Sequence, residues 1–237
     1  MKIIFIGNSH TYMNDMPQLL SEMVENVTSE SCEVFMLAYS GRSLKWHMDE
    51  EYFSERFNIL HGNYDYCVIQ EQAHPMPEES DTFIYASKII ELCKMAKTVP
   101  IIFETWAEKA KPENQLEMNN RYRKLAKEQD VLLAPVGEVW SAAREELEAK
   151  YDADLYYVDG AHASAIGDYL VATVLTKVIT GKLPSSDFVK TFDFSLPNDV
   201  DFSLPNDDWN SVKENVDEEI MSVPLDVAAT IRKYVSE

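Results

Sequence analysis

The strongest constraint on the fold is a rhythm. Short runs of β-branched and aromatic residues recur along the chain, each followed by a longer stretch with helical periodicity. Lys2-Ile3-Ile4-Phe5-Ile6 opens the series, and residues 33–39 (EVFMLAY), 65–70 (DYCVIQ), 99–103 (VPIIF) and 131–135 (VLLAP) continue it. Runs this apolar, with little polar alternation, belong to strands covered on both faces, as in a parallel sheet. Pro100 argues that the fourth strand begins only there. Between the runs, Leu19, Leu20, Met23 and Val27 fall at helical spacing, and Phe83, Ile84, Ala86, Ile89, Ile90 and Leu92 make a broad apolar face over 78–96. Further helices are expected around 48–60, over 113–129 and 136–150, and over the apolar stretch 165–179. Strands alternating with helices in this way predict an α/β fold, a doubly wound five-stranded parallel sheet with helices on both faces.

A chain of 237 residues can bury a full core as one domain with an appendage. Residues 1–183 read as the α/β domain, and 184–237 as a C-terminal extension packed on it. Within that extension residues 193–199 (DFSLPND) recur as 201–207, too short a period for a solenoid, and Pro-Asn-Asp marks a turn in each copy. The segment is expected to be an extended strap over the domain, or a binding element beside the site. Residues 211–237 are expected to form one or two terminal helices broken near Pro224. A formal net charge of -20 disfavours nucleic acid and anionic membrane surfaces as partners. Cys32, Cys67 and Cys93 show no CxxC spacing, so buried free thiols are expected, and no disulfide framework or zinc site. No charged n-region with an apolar h-region opens the sequence. The chain reads as soluble, cytoplasmic as it stands, or exported if a signal peptide has been removed.

The chemistry concentrates at the ends of the strands. In open α/β sheets ligands bind beyond the carboxyl ends of the strands, and there the first strand presents Gly7-Asn8-Ser9, with Ser9 two residues past the glycine. Serine is a poor nucleophile at neutral pH unless an imidazole takes its proton and a carboxylate orients that imidazole. Asp159 and His162, separated by two residues in the loop Tyr157-Val158-Asp159-Gly160-Ala161-His162, can project from one turn and supply both. His10, His47, His61 and His74 lack metal-ligand spacing, which favours surface or packing roles over a metal. Glu71 is a candidate second acid–base group or a solvated carboxylate. Trp106, just past the fourth strand, is placed to stack on a sugar or to wall a pocket; Trp46 and Trp140 read as packing residues.

Gly7-Asn8-Ser9, Gly41 after the second strand, and residues 159–167 (DGAHASAIG) together resemble the SGNH (GDSL-type) hydrolases. The resemblance covers about the first 180 residues, and its D-x-x-H segment with the following helix is the most specific part. It implies a flavodoxin-like three-layer sandwich and a serine esterase that needs no cofactor. Ser9 would be the nucleophile, His162 the base and then acid, and Asp159 its orienting partner. The oxyanion hole would combine the backbone N–H groups of Ser9 and Gly41 with a side-chain amide after the third strand. There the family has Gly-x-Asn-Asp, whereas this chain reads Gln70-Glu71-Gln72-Ala73-His74, and Gln72, or else Gln70, takes the donor's place. Asn8 stands where many relatives carry aspartate. No G-x-S-x-G elbow is present, against an α/β-hydrolase, and no phosphate-binding glycine loop, against a nucleotide binder. A short acyl ester of a carbohydrate, such as an acetate, is the substrate this reading favours. The altered third-strand loop leaves one alternative, a non-catalytic carbohydrate-binding protein on the same fold.

Overall fold

β1 (Lys2–Gly7) divides the molecule. Ile3 and Phe5 point into one apolar core and Ile4 and Ile6 into the other, all essentially inaccessible. The computed structural model describes residues 1–49, 53–189, 191–192 and 221–236. β1 pairs in parallel with β2 (Glu33–Ala38) on one side and β3 (Tyr66–Gln70) on the other. β4 (Val99–Phe103) and β5 (Leu132–Ala134) extend the sheet, whose order is β2-β1-β3-β4-β5. The order reverses between β1 and β3, which opens a crevice at their carboxyl ends. The edge strand β2 is only partly covered, with Phe35 and Met36 exposed, so its apolar run is not buried on both faces.

One face of the sheet carries α2 (Met16–Thr28), α7 (Val136–Tyr151), α8 (Ala165–Thr180) and α9 (Leu225–Ser236). The opposite face carries α3 (Leu44–His47), α4 (Phe53–His61), α5 (Glu79–Ala96) and α6 (Gln115–Gln129). The result is the expected three-layer α/β sandwich. α8 starts cleanly because the Ser164 hydroxyl accepts from the Gly167 N–H, and it stops at Gly181 in the left-handed region.

The fourth strand starts at Val99, not at Pro100. The Val99 N–H donates to Asp65 on the β3 side, so the missing N–H of Pro100 falls on the β5 side. Pairing with β5 begins only at Ile101, and the proline costs no ladder bond. Of the helix expected around 48–60 the described residues show α4 from Phe53, with residues 50–52 outside the described part, and a separate α3 precedes it. The repeated 193–207 segment also lies outside it. α9 is joined to the sandwich through Arg232, which donates to the Tyr169 hydroxyl (3.1 Å) and the Ser186 carbonyl (2.6 Å). Among the described residues no helix is long and apolar enough to cross a membrane, and no cluster of ligating side chains could hold a metal ion.

Candidate active site

β1 ends at a glycine against which two side chains pack closely. A Cβ on Gly7 would stand 2.5 Å from Thr11 Oγ1 and 2.6 Å from Gln70 Oε1. Asn8 caps the one-turn helix α1 (Ser9–Tyr12), its Oδ1 accepting from the His10 N–H at 3.1 Å, while its Nδ2 donates to the Arg42 carbonyl at 3.0 Å. Aspartate could make the first bond but not the second, so the amide ties this turn to the loop after β2. Ser9 is the first residue of α1.

The loop after α7 reaches Ser9 as a pinched turn. Tyr156 and Ala163 form an isolated bridge, and the Tyr157 N–H donates to the His162 carbonyl. Inside it, Asp159 Oδ1 accepts from the N–H groups of Ala161 (2.9 Å) and His162 (3.0 Å). Asp159 Oδ2 lies 2.6 Å from His162 Nδ1, and His162 Nε2 lies 2.8 Å from Ser9 Oγ. Burial works against the Asp159 charge, but the His162 ring and the two backbone N–H groups outweigh it and hold the carboxyl below its ordinary value. An ionised Asp159 can only accept, which assigns the proton to Nδ1 and leaves the Nε2 lone pair facing the serine hydroxyl. Such a chain can draw the proton from Ser9 as the oxygen attacks.

Several side chains hold this loop. The Trp106 Nε1–H donates to the Ala161 carbonyl at 2.8 Å. Trp106 lies flat on Trp140, with ring centres 4.1 Å apart and planes within 3°. His10 fills the space between Trp106 (5.3 Å) and His162 (4.7 Å). Burial above all, with His162 and His74 nearby, pulls the His10 ring down to about 3, so an uncharged ring faces the imidazole. On the far side, Asn14 Nδ2 donates to the Ala163 carbonyl (3.0 Å) and to Asp168 Oδ2 (2.6 Å). Asp168 is buried deeply enough that its carboxyl is pushed well above the usual range, the Asn14 bond notwithstanding.

The structure brings Ser9, Asp159 and His162 together and separates several other candidates from them. Gly41 follows β2 with φ +65° and no atom within 4 Å of where a Cβ would be, and the N–H groups of Ser9 and Gly41 meet no acceptor among the described residues. Gln70 is not available as an oxyanion donor. It is fully buried, its Oε1 accepts from the Asn8 N–H (2.9 Å) and Thr11 Oγ1 (3.0 Å), and its Nε2 donates to the Glu71 carbonyl. Gln72 is half-buried, and its side-chain amide has no hydrogen bond among the described residues. Glu71 is a buried strut, its Oε1 accepting from the N–H groups of Leu44 (2.9 Å) and Gln72 (2.8 Å); burial pushes its carboxyl upward. Trp106 is 0% exposed and offers no face to a substrate; its work is to fix Ala161. His10, Asn14 and Asp168 were not singled out as site residues by sequence. His10 was given a surface or packing role; its adjacency to Ser9 is the one local signal that could have marked it. His47 is also internal, with Nε2 2.7 Å from the Gly7 carbonyl and Nδ1 3.2 Å from Glu55.

No family model and no curated protein matches the sequence. Solved structures do. A protein from Slackia heliotrinireducens assigned to the SGNH hydrolases superposes with a TM-score of 0.62 at 26% identity, over 76% of this chain and 98% of that one. The acetyl xylan esterase AlAXEase gives 0.58 at 16% identity, over 74% of this chain and 98% of that one. An acetylxylan esterase from Geobacillus stearothermophilus gives 0.58 at 14% identity, over 76% and 94%. At their lower identities the last two carry the fold alone.

Proposed function

The chain belongs to the SGNH (GDSL-type) hydrolases, and on that premise we propose that it is a serine esterase working through an acyl-enzyme on Ser9. The observation that carries this reading is the unbroken bonding chain from Ser9 Oγ through His162 to Asp159, 2.8 Å and 2.6 Å long, at the switch point of the sheet. As Ser9 Oγ attacks the ester carbonyl, His162 Nε2 takes its proton and Asp159 steadies the imidazolium. Collapse of the tetrahedral intermediate breaks the bond to the alcohol, and His162 returns the proton to the leaving oxygen. Water then repeats the sequence on the acyl-enzyme and releases the acid. The negative charge that develops on the carbonyl oxygen needs preset donors. The unused N–H groups of Ser9 and Gly41 fit that need, and Gln72 is the amide that remains for the third place.

An acetyl ester of a carbohydrate is the substrate we favour, since two of the fold neighbours are acetyl xylan esterases by name. The mechanism is tested by Ser9→Ala. Hydrolysis of p-nitrophenyl acetate is expected to fall by roughly 10⁴-fold or more with the circular dichroism spectrum unaltered. Retention of full activity would overturn the assignment.

A further inference from the structure

A cavity of about 250 Å³ opens between the loop after β3 and the loop after β4. Its floor is apolar, formed by Ala73, Ala107 and Met118, all buried. Its walls are polar and charged, but the charges cancel. Lys111 is paired with Glu108 at 2.8 Å and Arg121 with Glu117 at 3.1 Å, so the walls favour neither a cation nor an anion. Asn114 adds an amide that can donate and accept. His74 lines the cavity on the side of the site, with its ring 5.3 Å from His10, which packs against His162.

The sheet order decides which part of a substrate this cavity can meet. β2, and with it Gly41, lies on one side of β1, whereas β3 and β4 lie on the other. An oxyanion held by Ser9 and Gly41 therefore sits away from the cavity. His162, whose loop is tied to Trp106 after β4, sits toward it. The leaving oxygen must face His162 Nε2, because that atom delivers the proton when the ester C–O bond breaks and a neutral alcohol departs. We infer that this cavity receives the alcohol portion of the ester, and that its neutralised walls and apolar floor select a single uncharged polyhydroxylated ring. The inference rests on the roles given above to Ser9 and His162. Cavities for drug-sized ligands run to roughly 300–1,000 Å³, so this one suits one ring rather than a chain. Hydroxyls would meet Asn114 and the paired side chains, and the C–H face would lie on Met118.

The test uses Asn114, which is exposed and makes no capping bond to α6, in two variants, Asn114→Trp to fill the cavity and Asn114→Ala to remove the amide. The measured quantity is kcat/KM for a mono-O-acetylated methyl pyranoside divided by kcat/KM for vinyl acetate, whose alcohol is too small to use the cavity. That ratio is expected to fall by about tenfold or more in Asn114→Trp, and by a smaller factor in Asn114→Ala. A ratio within about twofold of the wild type in both variants would overturn the assignment of the cavity while leaving the esterase reading in place. A wild-type protein that hydrolyses neither ester would instead defeat the roles of Ser9 and His162, and this inference with them.

Discussion

Glu104→Gln should stabilise the protein at neutral pH, and the gain should shrink as the pH falls. Glu104 follows β4 and is completely buried; its Oε1 accepts from the Glu138 N–H at 2.9 Å, while its Oε2 has no partner. Burial first, and the Glu138 carboxylate second, push its pKa from 4.5 up to about 8. The folded protein thus holds a proton that the unfolded chain has released over most of that interval. A carboxyl raised in the folded state favours folding least at high pH, so its contribution is best below pH 4.5 and declines until pH passes 8. At roughly 1.4 kcal/mol per pH unit, the interval up to pH 7 corresponds to about 3 kcal/mol of lost stability. Glutamine keeps the acceptor for Glu138 and cannot ionise. Urea denaturation of both proteins at several values from pH 4.5 to pH 7 gives the difference in unfolding free energy directly. Any fixed cost of seating the amide is the same at each pH, so the slope of the difference is the quantity to read. The variant should gain about 3 kcal/mol relative to the wild type across that range. A difference that stays flat would refute the argument that Glu104 remains protonated in the fold.

Asp159→Asn replaces an acceptor by a group whose NH₂ meets His162 Nδ1, which favours the wrong tautomer; kcat for p-nitrophenyl acetate should drop by about 10³–10⁴-fold, with thermal stability little altered. Trp106→Phe keeps an aromatic ring over Trp140 but removes the bond to the Ala161 carbonyl. At about 1 kcal/mol for that bond, kcat should fall roughly fivefold with KM nearly unmoved, and a change confined to KM would count against a positioning role.

The central strands were legible because β1, β3 and β4 are covered on both faces, and an apolar run then identifies the strand without help from periodicity. α8 was legible for the same reason. β2 was read as a strand correctly, but an edge position is set by strand order, which local composition does not encode. At the candidate site, Asp159 and His162 were legible because they share one turn, whereas Ser9, 153 residues from His162, was legible from its place past a strand end and from the family resemblance of both segments. The misread residues depend on contacts distant in sequence. Gln70 looks like a spare amide until Asn8 and Thr11, roughly sixty residues earlier, are seen to occupy it. Glu71 and Trp106 follow strands and so belong to the ligand edge by rule. Yet Leu44 closes over the first, and Trp140 and Ala161 enclose the second. A strand end specifies where a residue enters the site region, while the loops that cover it decide whether it reaches the surface.

The central claim is that Ser9 is a nucleophile activated by His162, and covalent labelling tests it most directly. The protein would be incubated with a fluorophosphonate, and the adduct located by peptide mass spectrometry. The account predicts one phosphonyl group, on Ser9, with labelling lost in Ser9→Ala and strongly slowed in His162→Ala. No adduct, or an adduct on another residue, would contradict it.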